Sequence, residues 1–264
     1  MNIILRELRS NLKSLLIWSG SLIAVIVMML SEFSAYYNNP DMAQIMDSMP
    51  KALMDAFSMS NANLTTVSGY VSITVVYVNL MLGIFAVLLG NSIIAKEERD
   101  KTAGFLMTMP ITRSKILFGK IIAAIINCLI VLVVVIGSLY LFTLKYDPGQ
   151  DFYRFLWLIT VTTGIFEIMF LSLGLFLASS VKRYKLSSGV GLGLLFFLYV
   201  VSVLVALSDK IDFLKYVTPF KYYEASKLLQ NNSIEGTYLI LSFIWAISFT
   251  ALTFIIYNKR DLRA

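Results

Sequence analysis

The run ILFGKIIAAIINCLIVLVVVIGSLYLFTL, Ile116 to Leu144, decides the fold. It is longer than the ~20 residues an α-helix needs to cross ~30 Å of hydrocarbon, and its one formal charge, Lys120, lies near its start. It lacks the alternation of a barrel strand, so it reads as a membrane-spanning helix. Five further apolar runs read the same way: 15–30, 70–95, 155–181, 186–207 and 237–257. The whole chain agrees with them, because 58% of its 264 residues are hydrophobic and 14% charged, against about 45–50% and 25% in soluble domains. The expected fold is all-α: one polytopic transmembrane domain over 1–264 with six transmembrane helices.

Between the spans lie segments of different character. Residues 1–13 are amphipathic if helical, with Ile4, Leu5, Leu8 and Leu12 on one face and Arg6, Arg9 and Lys13 opposite. An N-terminal surface helix lying along the inner membrane face before the chain turns inward is expected. Met42, Ile45, Met46, Met49 and Leu53 form a stripe at helical spacing that Pro50 interrupts, which suits packing better than a binding groove. Residues 208–236 are too short and polar for another pair of spans. Their YVTPFKYYEASKLL core reads as a proline-started, aromatic-rich outer helix at the interface or dipping into it.

Orientation follows from the basic residues. One side carries 15 Lys and Arg, on the N-terminal arm, the 96–120 loop, the 182–185 turn and the tail; the other carries 7, spread over longer loops. The basic side is cytoplasmic by the positive-inside rule, so both termini are expected there. The formal net charge of +6 is thereby explained by topology, and no nucleic-acid partner is expected.

Several chemistries lack their residues. The chain has no histidine and one cysteine, Cys128, so neither a metal site nor a disulfide framework nor a catalytic residue is expected. The lone Gly-Lys pair, Gly119-Lys120, has Ser114 where a P-loop needs its first glycine. Gly189, Gly191 and Gly193 lack the last glycine and the preceding strand of a dinucleotide fingerprint. No cofactor is expected on this chain, and it is not expected to be an enzyme.

The loop KEERDKTAGFLMTMPITRSKILFGK, Lys96 to Lys120, is the most informative. Phe105, Leu106 and Met109 are apolar residues in a short cytoplasmic loop that cannot build its own core, so they need a partner surface or the headgroup region. Glu97-Glu98, Thr102, Leu106, Pro110 and Arg113 spell EE-x-x-x-T-x-x-x-L-x-x-x-P-x-x-R. This pattern after the second span, with Gly119-Lys120 following, resembles the signature of ABC type-2 exporter permeases. The resemblance extends to the six-span plan, the VTPFKYYEA segment and the YNKRDLRA tail. Lys101 and Gly104 depart from it, standing where glycine and an acidic residue are frequent.

The resemblance implies that residues 97–112 form a coupling helix docking on a cytoplasmic ABC ATPase present in two copies, which would hold the ATP and Mg. It further implies a second permease subunit, identical or homologous, in the cell (inner or plasma) membrane, with the first and fifth spans at the subunit interface and the second and fifth beside the substrate path.

Inside the spans, Gly189 with Gly193, and Ser187 with Gly191, are small pairs that permit close helix packing, within the subunit or across a dimer. Glu167 is the one acid deep in a span; there it must face protein or water, be paired, or be protonated. Asn79 and Asn127, at comparable depth, are candidate partners for it. The leading function is an export permease driven by a separate ATPase. The alternatives are an ion-coupled carrier using Glu167 and a non-transporting membrane scaffold or sensor.

Overall fold

The structure, a computed structural model, describes residues 3–50, 54, 62–99, 112–181 and 184–259. Its α-helices are α1 (Ile3–Tyr36), α2 (Pro40–Asp47), α3 (Val67–Arg99), α4 (Arg113–Thr143), α5 (Gly149–Ser180), α6 (Tyr184–Leu207), α7 (Ala225–Asn231) and α8 (Gly236–Lys259). All but α2 and α7 are long and apolar enough to cross a membrane, which makes six. The described residues contain no strand.

Helix α5 is the axis of the bundle. Of its most apolar stretch 72% is buried, against 11% for α8 at the rim. Two glycines seat α3 directly against it. A Cβ on Gly174 would stand 2.4 Å from the Val87 carbonyl oxygen, and one on Gly90 would stand 2.6 Å from that of Leu171. Only glycine lets the two backbones come so close. Around this pair, α4 and α8 close one side of α5 and α6 the other.

The N-terminal arm and the first span are a single helix, α1, with no turn between a surface segment and a span. Its 34 residues extend for about 50 Å at 1.5 Å per residue. No proline interrupts it, and one stripe, Leu15, Leu22, Ile26, Leu30 and Phe33, is buried along its length. The expected apolar face of the arm is split. Ile4 and Leu8 pack inward, whereas Leu5 and Leu12 are exposed and the most buried side chain of the arm is an acid, Glu7.

At the C-terminal end of α1, aromatic rings tie it to its neighbours. Phe33 lies 4.8 Å from both Tyr70 and Tyr146, ring centre to ring centre, and the Tyr70 hydroxyl donates to the Met29 carbonyl at 2.8 Å. A 3-10 turn (Leu144–Tyr146) joins α4 to α5. Gly149, at φ 75°, adopts a left-handed conformation that glycine takes at no steric cost, so α5 begins before the apolar run at 155. Of the methionine-rich stripe, Ile45 and Met49 are exposed.

The outer segment differs from the single proline-started helix that its sequence suggests. Pro219 opens one 3-10 turn (Pro219–Lys221), and α7 starts separately after Glu224, whose backbone is extended. Packing explains the break. Thr218 Oγ1 donates to the Leu198 carbonyl at 2.8 Å, and Phe220 inserts between Phe166, Phe170 and Tyr199 at ring distances of 5.1, 5.5 and 5.3 Å. The segment therefore dips into the bundle between α5 and α6.

Candidate functional site at the inner helix ends

The loop between α3 and α4 is held by both of its feet. On the first, Lys96 near the end of α3 forms an ion pair with Glu7 of α1, and Arg6 Nη2 lies 3.2 Å from the other carboxylate oxygen. The Glu7 side chain is wholly buried and that of Lys96 nearly so. On the second, Arg113 donates to the Asn258 carbonyl at 3.3 Å and Ser114 Oγ to Asn258 Oδ1 at 3.1 Å, joining the start of α4 to the end of α8. Thr112 begins α4 in extended backbone, its carbonyl accepting from the Lys115 and Ile116 amides.

Lys120 joins the two feet to each other. It is fully buried, and its ammonium donates to the carbonyl of Ile93 on α3, a backbone oxygen one turn before Lys96. Beside it, the missing side chain of Gly119 admits Ile3, 3.2 Å from where a Cβ would stand. The inner ends of α1, α3, α4 and α8 thus form one polar cluster at the loop. Of the loop residues themselves, Thr102, Phe105, Leu106, Met109 and Pro110 lie outside the described residues. So do the side chains of Glu97 and Glu98, whose backbone belongs to α3. The expected coupling helix over 97–112 falls largely in that stretch.

The small residues of α6 divide into two sets. Ser187 is buried and accepts from Asn91 Nδ2 of α3, while Ser188 donates to Asn91 Oδ1 at 3.3 Å. Gly191 also faces α3: a Cβ there would meet Val87 Cγ1 at 2.7 Å. Gly189 and Gly193 instead border open space, on an exposed face with Leu186, Val190, Phe197 and Val200.

Farther out along the same seam, Thr163 Oγ1 of α5 donates to Asn79 Oδ1 of α3 at 3.1 Å. Above it the Phe220 wedge leaves a cavity of about 40 Å3, bordered by Asn79, Tyr199, Phe220, Lys221 and Glu224, room for a water molecule or two. Lys221 and Lys227 both pair with Glu224. Tyr222 beside them donates to the Tyr216 carbonyl at 2.6 Å. Burial, then the neighbouring Tyr223, pushes its phenol up to about 12.

Glu167 has neither expected partner. Asn79 bonds to Thr163, and Asn127 Nδ2 donates to the carbonyl of Ala123 in its own helix at 2.7 Å. Glu167 is 1% exposed, and its Oε1 has no hydrogen-bond partner, as is true of Asn127 Oδ1. Its position against α4 and α8 rather than α3 separates it from the Asn79 seam.

Six helices long and apolar enough to cross a membrane define a multi-pass helical membrane protein. The family comparison supplies the narrower class: the model of the ABC-2 family transporter protein matches residues 1–262, and the chain belongs to that family. It is a permease subunit of an ABC transporter, a family whose members associate with an ATPase subunit. No curated protein matches the chain.

Proposed function

We propose that this permease works as an exporter, driven by a separate cytoplasmic ATPase that docks on residues 97–112. The observation that carries the proposal is the anchoring of both ends of that segment, Lys96 to Glu7 and Arg113 with Ser114 to Asn258. Force applied to the loop is transmitted to α1, α3, α4 and α8 together, because each foot is bonded to a neighbouring helix. Phe105, Leu106 and Met109 supply the apolar surface that an ATPase groove would cover. Glu97, Glu98, Thr102, Pro110 and Arg113 complete the docking set by their match to the family pattern.

Two copies of the ATPase, holding ATP and Mg, act on two permease subunits. The exposed apolar face of α6, around Gly189 and Gly193, supports a second permease as its neighbour. ATP binding closes the ATPases and moves the loops, and the bundle rearranges at the seam between α3 and α6, where Phe220 covers the outer end. The basic-residue distribution supports cytoplasmic termini in the cell membrane.

Leu106→Asp tests the docking. The substituted permease is expected to reach the membrane in normal amount but to lose co-purification with its ATPase, and with it the vanadate-sensitive ATPase activity of the pair. Co-purification at the wild-type level would overturn the docking assignment.

A further inference from the structure

A larger space opens on the far side of α5 from the α3–α6 seam. It measures about 440 Å3 and lies between α4, α5 and α8, within the ~300–1,000 Å3 of small-molecule pockets. Its wall is almost entirely aliphatic and aromatic, with Leu132, Ile165 and Ile168 inside and Leu129 and Phe243 at the rim. Those rim residues are 52% and 61% exposed, so the mouth opens on the outer surface of the bundle at the depth of the hydrocarbon.

The polar groups of the pocket are one-sided. Thr160 Oγ1 donates to the Leu156 carbonyl at 2.7 Å and Ser242 Oγ to the Tyr238 carbonyl at 2.8 Å, so both wall hydroxyls keep their protons for their own helices. Glu167 borders the same space, almost wholly buried, with Oε1 unpartnered. The pocket therefore offers one uncompensated polar group, the Glu167 carboxyl, and no cation to pair with it.

A ligand complementary to this arrangement has an apolar body and a donor-rich, positively charged head. We infer that the pocket between α4, α5 and α8 binds a hydrophobic amine that enters from the bilayer and donates its ammonium hydrogens to Glu167. A neutral lipid tail would fill the same volume but leave the carboxyl unpartnered, and an anionic head would bring it no counter-charge. The site is independent of ATPase docking: it can be occupied whether or not residues 97–112 engage a partner.

Photolabelling of the full-length chain in lipid nanodiscs tests this, with a decylammonium probe carrying an alkyl diazirine and the matching alcohol as control. At equal concentration in the bilayer, the amine is expected to label 125–132, 160–168 and 242–246 about tenfold more than the alcohol, the scale of a charge-assisted hydrogen bond against a neutral one. Glu167→Gln is expected to bring amine labelling down to the alcohol level. Ala246→Phe, which obstructs the pocket and keeps the acid, is expected to lower both.

Equal labelling by amine and alcohol in the wild-type protein would mean a cleft filled by lipid tails without charge recognition, and would overturn the inference. So would amine labelling that persists in Glu167→Gln. If that variant does not fold, competition by unlabelled decylammonium against decanol in the wild-type protein decides instead: equal displacement by the two overturns the inference.

Discussion

Glu7 and Glu167 are equally buried acids in opposite circumstances. Glu7, at the inner end of α1, meets Lys96 and Arg6, while Glu167, midway along α5, has an unpartnered oxygen on an apolar cavity. The difference follows from depth. At the inner end the cations that fix topology are within reach, whereas at mid-membrane depth a second charge would itself have to be buried. The paired acid holds helices together; the unpaired one leaves its chemistry available to something that is not protein.

The largest expected effect comes from breaking the paired acid. Glu7→Ala leaves Lys96 facing a buried site without its counter-charge and is expected to cost about 3 kcal/mol, measured by denaturant unfolding in mixed micelles. Removing both charges, in Glu7→Gln with Lys96→Met, is expected to recover most of that loss, because an uncharged pair avoids the desolvation of two ions. A double variant as unstable as the single one would break the ion-pair account of this contact.

The same contrast between occupied and open surroundings separates the glycines. Gly174→Leu drives a side chain into the Val87 backbone and is expected to cost about 1–3 kcal/mol. Gly189→Leu points into open space and is expected to leave monomer unfolding unchanged. A loss of self-association in that second variant, read by cross-linking in membranes, would sharpen the assignment of the α6 face to a second permease. A similarly small effect is expected at Glu167: Glu167→Gln removes no protein partner and should change stability by less than about 1 kcal/mol. A large loss there would show that the acid has a structural role and would erase its contrast with Glu7.

The six helices were legible because each needs only a long apolar run, a property of composition that no tertiary contact can reverse. The inner cluster was less so. On a helical wheel Arg6, Arg9 and Lys13 claim the polar face of the arm and draw attention to the surface, while Glu7 falls beside Ile4 and Leu8 on the inward side. A signal did exist: Glu7 is the sole acid before Glu32, set on an apolar stripe. Lys120 carried a similar one, a lone cation inside an apolar run.

The partner of Glu167 was not legible. Depth along a span can be counted from sequence, but the direction a side chain faces cannot, so Asn79 and Asn127 were equivalent candidates until packing turned them toward Thr163 and Ala123. The break after Pro219 was hidden for a related reason. It depends on Phe220 finding Phe166 and Tyr199, rings distant in sequence.

The continuity of α1 gives the molecule a lever. Its N-terminal end is clamped to α3 through Glu7 and Lys96, and its opposite end is wedged against Tyr70 and Tyr146 through Phe33. A rod without a hinge tilts or slides as a whole. A displacement of the base of α3 would therefore reach the aromatic cluster at the other end of α1 without a hinge between them.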